Sequence, residues 1–211
     1  MIDFRTLVQR LRMRLPASVK RMLRLLKASM SPPVYSPTIP EVLFENARFV
    51  ASREQLISLL PHGKRVVELG TYKGDFARSI LDRCAPSQLD IIDRDMSVLR
   101  GDVANDPCVR LHCGVSWEEV ERLAPGPIAW IYIDAGHSYE EVIADTRAAA
   151  KRVQPGGYLV FNDFAYLDLD YGQYGVHRAV SEFLVSERWK IFALAYQNGG
   201  LYDIAIQAPM E

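Results

Sequence analysis

Val66-Val-Glu-Leu-Gly-Thr-Tyr-Lys-Gly-Asp-Phe76 sets Gly70 and Gly74 between a short apolar run and a stretch of helical period. That order predicts a strand, a tight turn and a helix, the opening unit of a doubly wound α/β sheet. The alternation continues downstream. Apolar runs at 89–92, 109–111, 128–133 and 158–161 predict further strands, and helical periods fall near 74–84, 96–104, 116–123 and 139–152. Ser138-Tyr-Glu-Glu141 has capping-box spacing at the start of the last of these helices, and Pro155-Gly-Gly157 is expected to turn the chain into the fifth strand. After a helix at 176–187, runs at 189–196 and 201–207 flank Asn198-Gly-Gly200, whose turn chemistry predicts a hairpin and therefore one antiparallel strand.

Upstream, residues 41–60 carry apolar positions with helical spacing that end at Pro61-His-Gly63. Residues 31–40 hold four prolines and read as a linker. Residues 1–30 form a basic leader of two amphipathic helices parted by Pro16, so the expected organisation is leader 1–30, linker 31–40 and domain 41–211. The leader carries eight Lys and Arg against Asp3, a charge of +7 within a chain of 25 basic and 26 acidic residues, so the remainder is −8. An acid-poor amphipath of this kind suits an anionic membrane surface, or packing on the body or a partner.

The near-neutral total excludes a surface built throughout for nucleic acid. Three cysteines, Cys84, Cys108 and Cys113, lack C-x-x-C spacing and point to a reducing, cytoplasmic setting. The longest apolar run, 128–133, falls far short of the roughly 20 residues of a membrane-spanning helix.

The glycine turn selects its ligand by what it lacks. A dinucleotide fingerprint needs G-x-G-x-x-G, but Tyr72 and Asp75 put bulk and negative charge where a pyrophosphate would approach the backbone, which demotes a nicotinamide oxidoreductase. Glu68 suits a ligand with a cationic amino-acid end and is expected to stay ionised near the helix start. Asp93, 23 residues after Gly70, is placed to accept from two ribose hydroxyls, and Asp95 reads as a helix cap. Gly114 leaves room for a flat base, with Ser116 as hydrogen-bond donor or cap.

On these residues the chain resembles the class I S-adenosylmethionine-dependent methyltransferases. The motifs that carry the likeness are Glu68-Leu-Gly-x-x-x-Gly74, Asp93, Gly114-x-Ser116 and Pro155-Gly-Gly157. Ile133-Asp-Ala-Gly-His-Ser-Tyr-Glu140, Phe161-Asn-Asp-Phe164, Tyr174-Gly-Val-His-Arg-Ala-Val180 and Gly200-Leu-Tyr-Asp203 look more narrowly like the small-molecule O-methyltransferase subgroup known as methyltransferase domain 24. The resemblance implies a Rossmann-like seven-stranded sheet of order 3-2-1-4-5-7-6 with strand 7 antiparallel. It implies S-adenosyl-L-methionine held by Glu68, Gly70, Thr71, Tyr72, Gly74, Asp93, Arg94, Gly114, Ser116 and Asp134.

Methyl transfer to oxygen needs alignment and a group to take the hydroxyl proton. Asp134 ends the fourth strand and Asn162-Asp163 the fifth. Neighbouring strands lie about 4.8 Å apart, so these hard oxygen ligands are expected to converge on Mg²⁺, Mn²⁺ or Ca²⁺. Similar enzymes place an acid after strand four and a pair after strand five; Asn162 departs from the two-acid form. His137, three residues from Asp134, is the candidate base, whereas His62, His112 and His177 offer less. Tyr166, Tyr171 and Tyr174 lie in a stretch expected to form a lid or acceptor wall.

The expected partner is a small-molecule acceptor of sugar or natural-product type, with no nucleic acid, contact with a membrane surface through residues 1–30, and homo-oligomerisation left open. Alternatives are a hydroxylase-like branch of the same fold and a scaffold that keeps the fold without turnover.

Overall fold

The computed structural model describes Pro16, Val19, Met22 and residues 36–165, 167–168, 172–196 and 202–210. The leader helices, Tyr166, Tyr171 and the Asn198-Gly-Gly200 turn therefore lie outside the described residues, apart from those three leader positions. Two compact units divide the chain: residues 36–166 with 174–211, and residues 1–35 with 167–173.

In the larger unit a 3-10 turn, Glu41–Phe44, leads to β1 (Arg48–Val50) and α1 (Arg53–Ile57). Then follow β2 (Arg65–Leu69), α2 (Asp75–Cys84), β3 (Gln88–Asp93), α3 (Gly101–Ala104), β4 (Val109–Cys113) and α4 (Ser116–Arg122). Next come β5 (Ile128–Ile133), α5 (Tyr139–Ala150) and β6 (Val153–Phe161). In the smaller unit β7 (Leu167–Asp168) pairs antiparallel with β8 (Gly172–Gln173). The larger unit ends with α6 (Val176–Glu187), β9 (Lys190–Tyr196) and β10 (Tyr202–Gln207).

The main sheet runs β1-β9-β10-β6-β5-β2-β3-β4. Seven of these strands stand in the expected order, and β10 is antiparallel to both β6 and β9, the hairpin geometry read from the sequence. The eighth strand is a correction. Within 41–60, expected to be helical, Arg48, Phe49 and Val50 instead pair parallel with Ala193, Leu194 and Ala195. Backbone pairing to an open sheet edge overrides a local helical period here, and only Val50 of the three is buried. Two further boundaries move. The helix expected at 96–104 is reduced to four residues, and Pro155-Gly-Gly157 lies inside β6, where the register with β5 shifts.

Both sheet faces are covered, which explains the unbroken apolar character of the central strands. All six residues of β5 are buried. On one face Phe76, Ala77, Ile80 and Leu81 of α2 pack with Leu56 and Ile57 of α1; on the other, Val142 and Ala149 of α5 pack with Val180, Phe183 and Leu184 of α6. A residue such as Ile131, fully buried at the centre, contributes about 1.5–3 kcal/mol through burial. Capping fixes the helix starts: Ser52 Oγ accepts the Gln55 N–H at 3.2 Å, and Ser138 Oγ accepts that of Glu141 at 3.3 Å.

At the sheet end opposite the glycine turn, buried Asp90 is held by Arg65 at 2.8 Å, Gln88 Nε2 at 2.9 Å and His112 at 2.9 Å. His112, unaccompanied in the sequence, thus anchors a buried carboxylate. The three cysteines are free thiols, and burial pushes that of Cys84 up to about 11. Among the described residues no helix is long and apolar enough to cross a membrane.

Candidate active site

Parallel β2, β3, β5 and β6 end on one edge, so the loops that follow them meet there. The turns after β2, β3 and β5, with Ser116 after β4, line a cavity of about 320 Å³ formed by residues 70–72, 92–94, Ser116 and residues 134–136. Seven of the ten expected donor-binding residues line it: Gly70, Thr71, Tyr72, Asp93, Arg94, Ser116 and Asp134. The other three support the lining. Glu68 lies buried in β2, Gly74 caps α2, and the Gly114 N–H donates to the Asp93 carbonyl at 2.9 Å.

Backbone conformation dictates the two glycines of the turn. Gly70 has φ +82°, and a Cβ there would strike the carbonyl of Asp134. Gly74 also has φ +82°, and its Cβ would meet Leu99 Cδ1 at 2.6 Å. Between them Tyr72 accepts the left-handed region at φ +50°, as Asp163 does at φ +56° across the site. Such conformations cost about 1–3 kcal/mol and persist only where surrounding structure enforces them.

Asp93 is the buckle of this turn. Its Oδ2 accepts the N–H groups of Thr71 and Tyr72, both at 2.8 Å, and its Oδ1 that of Asp95 at 3.1 Å. The carboxylate expected to bind ribose also fixes the loop that lines the pocket. Asp95, expected as a helix cap, instead accepts the Ser97 N–H at 2.8 Å, because α3 starts only at Gly101.

Glu68 requires a correction. Far from staying ionised, it is buried without a partner for Oε2, and burial pushes its carboxyl up to about 8 although Thr71 and Arg53 pull it down. Burial thus favours the protonated form. An incoming ammonium would supply the missing charge.

Next in the chain after the cavity-lining residues 134–136, His137 Nε2 stands 3.6 Å from Asp134 Oδ1 and 3.4 Å from Asp163 Oδ2. That nitrogen is buried without a hydrogen-bond partner, and its ring lies against Tyr174 at 4.5 Å between centroids. Burial lowers the His137 pKa against the opposing pull of Asp163 and Glu141, which keeps the imidazole neutral. Burial, reinforced by Asp163, raises Asp134 well above the carboxylate range.

Asn162, expected as a metal ligand, donates its amide to Asp203 at 3.2 Å and to the Tyr132 hydroxyl at 3.3 Å, and Tyr132 donates to Asp203 at 2.6 Å. Among the described residues no group of three His, Cys, Asp or Glu side chains is arranged to hold a metal ion. His177 is a packing residue, bonded to Ser36 at 2.7 Å and stacked on Phe164 at 4.7 Å.

Several contributors were missed. Tyr132 and Asp203 sit fully buried under the site, and Arg53, its guanidinium 4.4 Å from the Phe76 ring centre, bears electrostatically on Tyr132, Asp203 and Asp134. Polar residues inside apolar strand runs were the available signal for the first two. Arg53 had none, since its role depends on packing between α1 and α2. Asp145, buried in α5, was also missed.

Residues 67–164 match the model of the methyltransferase domain family Methyltransf_24. No curated protein matches the chain in sequence. Among solved structures, it is similar to a proposed O-methyltransferase from Klebsiella pneumoniae at 18% identity and TM-score 0.59, covering 91% of this chain and 96% of that one. An O-methyltransferase from Bacillus cereus in complex with SAH aligns at 16% identity and TM-score 0.56, over 92% and 93% of the two chains. A third similar structure, a proposed methyltransferase from Streptococcus mutans also in complex with SAH, gives 15% identity and TM-score 0.57 over 73% of this chain and 94% of that one. Residues 67–164 thus match a methyltransferase domain family, and the chain has the Rossmann-like α/β fold of these similar structures.

Proposed function

We propose that the protein transfers a methyl group from S-adenosylmethionine to a hydroxyl of a small molecule of sugar or natural-product type. The observation that carries the reading is the joining of two features at one sheet edge: a cavity of about 320 Å³ behind a glycine turn, and His137, next in the chain after its lining residues 134–136, between Asp134 and Asp163. The residues present fit the donor. Glu68 offers an orphaned carboxyl to an ammonium, the glycine turn admits close approach, and Asp93 and Ser116 line the remainder.

Bound S-adenosylmethionine supplies the electrophilic sulfonium methyl. The chain's residues then have two tasks, alignment and proton removal. The cavity wall would hold the donor in place for transfer. His137, whose burial lowers its pKa and favours the neutral ring, would take the acceptor's hydroxyl proton as the methyl group is transferred. Asp163 would stabilise the imidazolium that results, and solvent would take its proton before the next turnover.

Assistance by a divalent ion on Asp134 and Asp163 is a finer expectation. The described side chains do not form a ready ligand group, so proton transfer is derived from His137 alone. Residues 1–30 are proposed to touch anionic membrane surface, a reading supported by their charge of +7 and testable by liposome flotation of the full chain against one lacking them. The activity is tested by incubating the protein with methyl-labelled S-adenosylmethionine and a panel of hydroxyl, amine and carboxyl acceptors, with and without EDTA. Label transfer to hydroxyl acceptors that survives chelation is expected. Transfer confined to amines would refute the oxygen assignment, and loss with EDTA would restore the metal.

A further inference from the structure

Gly175, the cap residue before α6, has an ordinary φ of −72°, so its missing side chain answers a close approach: a Cβ there would strike the backbone nitrogen of Tyr139 and the carbonyl carbon of Ser138. Its N–H donates to the His137 carbonyl at 2.8 Å. The same corner is tied twice more. The Tyr139 hydroxyl donates to Glu182 at 2.6 Å, and the Arg178 guanidinium, paired with Glu182 at 2.8 Å, lies 4.1 Å from the centre of the Tyr139 ring. The start of α6 is therefore fastened to the start of α5, whose cap is Ser138.

Tyr174 stands one residue before this fastened glycine, and its ring lies against that of His137 at 4.5 Å between centroids, the planes inclined by 35°. The histidine needs such a support. Its side chain keeps 28% exposure, so enclosure does not hold it, and Nε2 makes no hydrogen bond that would anchor the ring, although it is buried 3.4 Å from Asp163 and 3.6 Å from Asp134. The χ2 torsion of an imidazole is broad, and nothing intrinsic selects the edge that faces the carboxylates. Rotation about χ2 would swing the ring plane off Tyr174 and lose the stack. We infer that Tyr174 is a positioning residue: fixed through Gly175 to the backbone of residues 137–139, its ring holds the His137 imidazole with Nε2 turned to Asp134 and Asp163.

The role in turnover rests on the proposed use of His137 as base, and the test reads the two separately. The chain has four histidines, His62, His112, His137 and His177, so ring-proton NMR of the histidine-labelled full chain gives few signals, and His137→Ala identifies the one that matters. Tyr174→Leu should move the His137 signal downfield by removing the ring current, Tyr174→Phe should leave it in place, and the wild type should show cross-relaxation between the rings of residues 137 and 174. Absence of that cross-relaxation overturns the inference without any variant, which covers a Tyr174→Leu chain that fails to fold. With methyl-labelled S-adenosylmethionine and a hydroxyl acceptor, Tyr174→Leu should lower kcat about ten- to a hundredfold, the usual consequence of a misplaced reacting group, while acceptor KM and S-adenosylhomocysteine affinity stay within threefold. Tyr174→Phe should rescue the rate to within threefold, and Tyr174→Leu should cost nothing further in a His137→Ala chain. A raised acceptor KM at unchanged kcat, equal losses in Tyr174→Phe and Tyr174→Leu, or additive losses with His137→Ala would each overturn the positioning role. A wild type with the stacked signature that methylates no hydroxyl acceptor overturns the proposed reaction instead.

Discussion

Replacing Glu68 by Gln probes the donor site from beneath and tests whether this acid is protonated until a cation arrives. The side chain is fully buried and its carboxyl is pushed to about 8, against an ordinary 4.5. Below about pH 4.5 the group is protonated in folded and unfolded chains alike, so it adds no pH dependence there. Between 4.5 and 8 the unfolded chain releases the proton while the folded chain keeps it, and wild-type stability falls as pH rises; above 8 the loss is complete. At about 1.4 kcal/mol per pH unit the total is about 5 kcal/mol, and about 3 kcal/mol is already lost at pH 7. Glu68→Gln, nearly isosteric and never charged, escapes this loss. Its melting temperature should match that of the wild type near pH 4.5 and exceed it by about 10 °C at pH 7, given roughly 2–4 °C per kcal/mol for a chain of this size. Donor binding must show the reverse. S-adenosylhomocysteine should release a proton from the wild type at pH 7, read from calorimetry in buffers of different ionisation enthalpy, and bind the variant at least tenfold more weakly without that release. Parallel melting curves across pH 5–9, or equal binding by both proteins, would refute the reasoning.

Three further outcomes follow from the geometry. His137→Ala should lower kcat about 10²–10⁴-fold while S-adenosylhomocysteine affinity stays within threefold; an unchanged kcat removes His137 as the base. Gly70→Ala forces a Cβ into the Asp134 carbonyl at a positive φ, so it should abolish donor binding and lower stability by at least about 1–3 kcal/mol in denaturant titration; wild-type behaviour would contradict the close approach. Asp90→Ala removes the carboxylate partner of Arg65, leaving it the Ala124 carbonyl, and should cost about 3–5 kcal/mol of stability without altering donor affinity in the folded fraction.

What could be read from the sequence follows the range of the forces involved. The central strands were legible because burial on both faces demands continuous apolar runs, and α5 because its cap and buried stripe are local. The glycine turn was legible too, since Gly70 and Gly74 answer a backbone requirement. The edge strand at Arg48–Val50 was not, because its partners in β9 lie about 145 residues further on and its own pattern reads helical. Asp134 and His137 fall close together after β5, whereas the environment of Glu68 depends on enclosure by several elements. Arg53 and Asp145 escaped notice because each gains its place from long-range packing, and Tyr132 and Asp203, though they stand out as polar residues in apolar runs, were given no role in the site.

Calorimetric titration of S-adenosylhomocysteine into the full-length protein, with NAD⁺ as the comparison ligand, tests the central claim most directly. The account predicts saturable one-site binding of the thioether nucleoside and none of the dinucleotide. Folded protein that ignores S-adenosylhomocysteine, or that prefers NAD⁺, would contradict it.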